Sequence, residues 1–217
     1  MNRIDDLARI SQALDLAAEA LEPFTAGAIS STLKNGGDPL TAADTAVNDA
    51  LLAELPRGDE GWLSEEAVDD RARLDCRRVW IVGSVESGVT LNGVPVQCAE
   101  GEGLAGALVL ASRSEVGRGE WNRFFGTDIS VRNMGSVAYK LGLVAAGLAD
   151  ATWALVPKNE WDVAGGAALV RAAGGDLRDL SGQPRQFNQA DPLLDGFVAT
   201  RPGLGDAVRS LLDLSAG

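Results

Sequence analysis

Apolar residues recur at three- and four-residue steps between residues 2 and 22 (Ile4, Leu7, Ile10, Ala13, Leu14, Ala17, Leu21). This spacing predicts an amphipathic helix that Pro23 ends or kinks. Residues 24–36 carry no clean period and read as a further helical turn region closing at Gly36-Gly37. Thr41 then has the character of an N-cap, with Asp44 at the third helical position, and the helix runs through Val47, Ala50, Leu51 and Leu55 to Pro56. Gly61 to Ser64 predicts a short strand that ends in Glu65-Glu66. Val79-Trp80-Ile81-Val82 and Leu104 to Ala111 are continuous apolar runs of the kind buried on both faces of a sheet. Asn92-Gly93, set between alternating apolar residues, predicts a hairpin.

The second half of the chain alternates in the same way. Residues 115–127 are mixed, with a short helix around Trp121 to Phe125, and Asp128 to Arg132 is strand-like. Gly135-Ser136 opens a helix through Tyr139, Leu143 and Val144 to Gly147, and Ala151 to Leu155 predicts a strand. A helix from Val163 to Ala173 stops at Gly174-Gly175. Strands at 176–180 and 196–200 and a helix from Gly203 to Leu214 follow. Helices and strands in alternation with short connections predict an α/β or layered α+β class. The expected division is a lobe over residues 1–130 and a second over residues 131–217.

Three compositional facts narrow the chemistry. The 217 residues are enough for a sizeable core. A net charge of −12 argues against a nucleic-acid polymer or an anionic membrane as partner. Histidine is absent, which removes Ser-His-Asp and His-metal chemistry and leaves carboxylates, hydroxyls, lysine or a hard metal ion. Cys76 and Cys98 have no metal or redox spacing, the first residues lack an apolar stretch, and no apolar run would span a bilayer. The expectation is a reduced, cytoplasmic protein.

Candidate chemistry lies at element ends. Asp162, in Glu160-Trp161-Asp162, stands at or just before a helix start, where a carboxylate caps backbone N–H groups and faces the positive end of the dipole. Capping alone accounts for Asp162 taken in isolation, as it does for Thr41 with Asp44. Of Glu65 and Glu66, adjacent on an extended chain, only one can face a given site, and an acidic loop is the alternative because Asp69 and Asp70 follow.

Four stretches in this order resemble the inositol monophosphatase superfamily, and within it the bacterial inositol phosphatase and 3′(2′),5′-bisphosphate nucleotidase branch. They are Gly37-Asp38-Pro39-Leu40-Thr41-Ala42-Ala43-Asp44, Leu63-Ser64-Glu65-Glu66, Gly135-Ser136 with Lys140, and Glu160-Trp161-Asp162-Val163-Ala164-Gly165 with Ala173-Gly174-Gly175. The resemblance implies a layered αβαβα fold and Mg²⁺-dependent hydrolysis of a small phosphate ester, either inositol monophosphate or 3′-phosphoadenosine 5′-phosphate, with two or three ions and a homodimer. It implies that Glu65 and Asp162 are metal ligands. Asp44 with Thr41 would hold the water that attacks, and Gly135, Ser136 and Asp162 would meet the substrate. Hard oxygen donors suit Mg²⁺, which can activate water and neutralise charge on the leaving oxygen.

The sequence departs from the family at one place. Where the family carries Asp-Pro-x-Asp-Gly-Thr after a strand, this chain reads Val82-Gly83-Ser84-Val85-Glu86-Ser87-Gly88. By that resemblance the segment bearing the motif is missing between Val82 and Gly83, either as a true deletion or as a stretch of the protein that these 217 residues leave out. The alternative to a phosphatase is therefore a non-catalytic binding protein of the same fold.

Overall fold

A computed structural model of the chain describes residues 3–24, 31–33, 39–64, 66–69, 71–81, 89–91 and 94–214. The chain forms two compact units, Met1–Val82 and Gly83–Gly217. The boundary expected after residue 130 instead falls at the first residue of a strand that pairs with 108–112, so it lies inside the second unit.

The first unit begins with helix α1 (Arg3–Leu21). Strands β1 (Ser31–Leu33) and β2 (Pro39–Thr41) pair antiparallel, so the helical turn expected over 24–36 gives way to strand where the chain is described. Helix α2 (Ala42–Glu54) follows directly, and strands β3 (Glu60–Leu63) and β4 (Arg78–Ile81) pair in parallel with Trp62 opposite Trp80. The helices pack on each other, and Ala13, Ala17, Leu51 and Leu55 form a small core with Ile10, Val47, Trp62 and Trp80 around it.

An ion network adds to that core. Buried Arg9 pairs with Glu60 at 3.1 Å and Asp6 at 3.2 Å, and its guanidinium lies 4.8 Å from the Trp80 ring centroid. Trp80 Nε1 donates to Glu60 at 2.9 Å, and Arg78 pairs with both Asp6 and Glu60. Burial pushes the Glu60 carboxyl up, but hydrogen bonds from Trp80 and Arg9 outweigh it and hold the group below its ordinary range. A buried charge of this kind is tolerated because its lone pairs are met.

The second unit begins with a hairpin, β5 (Thr90–Leu91) and β6 (Val94–Pro95), whose predicted Asn92-Gly93 turn lies outside the described residues. Its core is a five-stranded sheet. In chain order the next elements are β7 (Leu108–Ser112), α3 (Arg113–Gly117), β8 (Ser130–Met134), α4 (Val137–Ala145), β9 (Ala151–Ala154) and β10 (Lys158–Asn159). They are followed by α5 (Glu160–Ala172), β11 (Asp176–Arg178), β12 (Leu193–Leu194), β13 (Phe197–Thr200) and α6 (Gly205–Leu214).

The strand order is β11-β13-β9-β7-β8. Strands β8, β7 and β9 run parallel, and β13 and β11 alternate direction beyond β9. The apolar run expected over 104–111 becomes strand only from Leu108, and β8 starts two residues later than Asp128, because the pairing of Leu108 with Ser130 fixes both starts.

Alternation explains why β7 and β9 are mainly apolar on both faces, with the buried Thr152 hydroxyl satisfied by the Leu110 carbonyl at 2.8 Å. Leu110 and Ala154 face a core with Leu141, Val144, Val163, Ala167 and Val170 from α4 and α5. Val109, Ala111, Ala151 and Trp153 face the other core, with Trp121, Phe124 and the α6 residues Val208 and Leu212. There Trp121 stacks on Trp153 with centroids 4.9 Å apart. Helices therefore cover both faces of the sheet, and the class is layered α/β as the sequence predicts. No helix among the described residues is long and apolar enough to cross a membrane.

Gly166 lets α5 approach α4, since a Cβ built there would sit 2.5 Å from Leu141 Cβ. Gly166→Ala gains about 1 kcal/mol of helix propensity but forces two packed backbones apart, which costs about 1–3 kcal/mol. A net loss of stability is expected, read as a lower midpoint in thermal unfolding.

Candidate functional site at the carboxyl ends of three parallel strands

Because β8, β7 and β9 are parallel, their carboxyl ends share one edge, where open α/β sheets place ligands. Each strand end delivers different residues. After β7 come Arg113 and Glu115 on α3, and after β8 come Gly135 and Ser136 at the start of α4. After β9 come Lys158 and then Asp162 on α5.

Ser136 caps α4, its Oγ accepting the Tyr139 N–H at 3.2 Å while its own hydroxyl proton stays available to donate. Its backbone is unusual for a residue with a side chain, at φ 59° and ψ 120°. Strain of this sort persists only where the surroundings impose it. Gly135 beside it packs under Arg113, since a Cβ there would lie 2.9 Å from a guanidinium nitrogen of that exposed side chain. Arg113 is exposed and makes no ion pair among the described residues.

Helix α5 starts earlier than the sequence predicts. Asn159 is the N-cap, and Asp162 occupies the third helical position, where Oδ2 accepts the Asn159 N–H at 3.3 Å. Asp162 therefore stands inside the first turn instead of before it, since the capping box needs an acid three residues past the cap. Glu160 turns the other way: fully buried, it accepts the N–H groups of Asn188 at 2.7 Å and Gln189 at 2.9 Å and pins that loop.

Between these elements lies a buried ion cluster that pattern reading missed. Glu115 is 0% exposed, its Oε2 accepts Trp121 Nε1 at 3.0 Å, and its Oε1 is 3.3 Å from Lys158 Nζ. Lys140, one turn into α4 and 1% exposed, senses both charges. Burial pushes its ammonium down to about 8, with Glu115 opposing and Lys158 assisting. A lysine after a helix start and an acid after a strand are too common in sequence to single out; only the parallel pairing brings them together.

The remaining predicted residues belong to the first unit. Thr41 and Asp44 form a reciprocal capping box: Thr41 N–H and Oγ1–H donate to Asp44 Oδ2 at 2.9 and 2.7 Å, and Asp44 N–H donates to Thr41 Oγ1 at 3.2 Å. One turn along α2, buried Asn48 accepts from Ser64 Oγ at 2.7 Å, and Ser64 accepts from Trp62 Nε1 at 3.0 Å. This relay ties the end of β3 to the helix of Asp44. Glu65, the next residue, lies outside the described residues.

The sequence profile described as the inositol monophosphatase family matches residues 83–209, more than half of the chain. The chain belongs to the inositol monophosphatase family. It is 28% identical over 208 residues to a 3′-phosphoadenosine 5′-phosphate phosphatase of Mycobacterium leprae, covering 74% of this chain and 77% of that one. It is 27% identical over 205 residues to an inositol-1-monophosphatase of Mesorhizobium japonicum, covering 70% and 76%. In fold it is similar to an inositol monophosphatase from Zymomonas mobilis, with a TM-score of 0.71 at 20% identity over 98% of this chain and 99% of that one. A Thermotoga maritima homologue gives 0.70 at 19% over 100% and 98%.

The family match begins at Gly83, the first residue of the second unit. The alignment to the Mycobacterium leprae protein runs over 208 positions yet takes in 74% of these 217 residues, so many positions of that relative have no counterpart here.

Carboxylate oxygens, those of Asp162 in this unit, are hard donors of the kind Mg²⁺ prefers. Their number does not make a cluster: among the described residues no three Asp, Glu or Cys side chains are grouped to hold one ion.

Lys140 gives the pH signature of the site. Its folded pKa lies below the ordinary 10.5, so the unfolded chain binds more protons between about pH 8 and 10.5, and stability rises with pH across that window. Lys140→Met removes the buried charge and is expected to raise the unfolding midpoint at pH 7, the gain being on the order of 1–3 kcal/mol. The gain shrinks toward pH 10, which thermal melts of both proteins across that range check.

Proposed function

We propose that this chain is a phosphomonoesterase acting on a small phosphorylated metabolite, inositol monophosphate or 3′-phosphoadenosine 5′-phosphate. One observation carries the reading: the carboxyl ends of three parallel strands converge with Ser136, Asp162 and the Lys158–Glu115–Lys140 cluster on one edge. Family membership and relatives that are named phosphatases support it.

The roles follow from the groups available. The Ser136 hydroxyl donates to a substrate oxygen. Lys158 supplies positive charge to a phosphate, which charge-assisted hydrogen bonds favour. Asp162 accepts from a substrate hydroxyl. Asp44, with Thr41 fixing its carboxylate, accepts a proton from the attacking water. Glu65 and Asp162, each in its own unit, are the carboxylates that would bind Mg²⁺, and the metal when bound neutralises charge on the phosphoryl oxygens.

A second reading, ligand binding without hydrolysis, is favoured by the missing Asp-Pro-x-Asp-Gly-Thr segment. Phosphate release from both substrates, with and without Mg²⁺, separates the two. Release that needs Mg²⁺ and falls on the order of a hundredfold in Asp162→Asn is expected for the enzyme. No release from either substrate sinks the hydrolase reading and leaves the second.

A further inference from the structure

The charge at the carboxyl edge of the second unit is out of keeping with the rest of the chain. The protein as a whole carries −12, yet this edge collects Arg113, Lys140 and Lys158. Two carboxylates stand against them. Glu115 is consumed in the buried cluster, and Asp162 has one oxygen on the Asn159 N–H at the positive start of α5. Glu120, whose charge also reaches Lys158, is closed in a 2.6 Å pair with Arg118. A further carboxylate, Glu160 at the start of α5, is turned away onto the Asn188 and Gln189 N–H groups, and of the three cations only Lys158 is ion-paired to a carboxylate among the described residues. Uncompensated buried charge is expensive, and a bound anion removes the imbalance.

The geometry also makes one of these cations available. Glu115 is wholly enclosed and locked by Trp121, so it acts on Lys158 from behind. The Lys158 side chain keeps 18% of its surface exposed, enough for its ammonium to reach a ligand while one side is anchored. Holding the flexible lysine stem in advance lowers the entropy lost on binding.

We propose that Lys158, anchored by Glu115, forms with Arg113 and Ser136 an anion site that takes the phosphate group of a phosphate ester without a divalent cation. The inference rests on the reading above that the ligand is a phosphate ester. It separates binding, carried by resident lysine and arginine, from turnover, which is where Mg²⁺ enters. This suits a chain whose described carboxylates form no metal cluster. Glu115 is a positioning residue here, while Lys158, Arg113 and Ser136 touch the ligand.

The test is calorimetry with 3′-phosphoadenosine 5′-phosphate as probe, once in EDTA and once in Mg²⁺. Binding in EDTA within about threefold of the Mg²⁺ value is expected, with Lys158→Gln weaker by roughly tenfold or more and Arg113→Gln weaker by a smaller factor. Both substituted side chains reach the surface, so thermal melts should show the variants folded. Glu115→Gln keeps the shape but releases Lys158, and in it the probe should bind more weakly at unchanged stoichiometry. Affinity that vanishes in EDTA and returns with Mg²⁺ overturns the proposal, because the metal then carries the anion. Equal affinity of the parent and Lys158→Gln overturns it too. Binding in EDTA with no phosphate release in Mg²⁺ upholds this site while the hydrolase reading falls.

Discussion

The parallel pairing of β8, β7 and β9 is the constraint on which the second unit depends. Parallel strands must each be followed by a crossover, so every carboxyl end is met by a turn and a helix start. Here those starts are α3, α4 and α5, and each presents polar groups to the same edge. The apolar cost of this arrangement falls on the strands, which must be buried on both faces. That is why Val109, Leu110, Ala111, Ala151, Trp153 and Ala154 are all buried.

The buried ion cluster follows from the same pairing. β7 lies between β8 and β9, so Glu115 after β7 stands between Lys140 after β8 and Lys158 after β9. Trp121 donates to Glu115 and stacks on Trp153 of β9, so the aromatic core and the charged cluster share one residue. The packing beneath the sheet edge and the electrostatics of that edge are thus a single construction. In the first unit the equivalent link is the Trp62–Ser64–Asn48 relay, which joins a strand end to the helix that carries Asp44.

Capping explains much of what was legible beforehand. Thr41 and Asp44 were readable because a capping box is local: two residues three apart satisfy each other's backbone N–H. The same rule placed Asp162 at a helix start, though the structure begins that helix at Glu160 and gives the cap to Asn159. The error came from the polar Glu160-Trp161-Asp162 stretch, where no apolar period marks a boundary. β1 was hidden for a similar reason, because a three-residue strand has no period to read and depends on β2 opposite it. Glu160 and Asp162 looked alike in sequence, yet one pins a loop and the other faces the helix start.

What the sequence determined by itself is whatever depends on near neighbours: the long helices, the apolar strands, the caps and the α/β alternation. It also determined which chemistry these residues cannot supply, since no fold can provide a missing histidine. Only the tertiary structure decided which strands pair, where the two units divide, and that Glu115 would meet Lys158 and stand near Lys140. The physical reason is range. Hydrogen bonds within a turn are set by spacing along the chain, whereas a buried ion pair between distant segments exists only after the sheet has chosen its order.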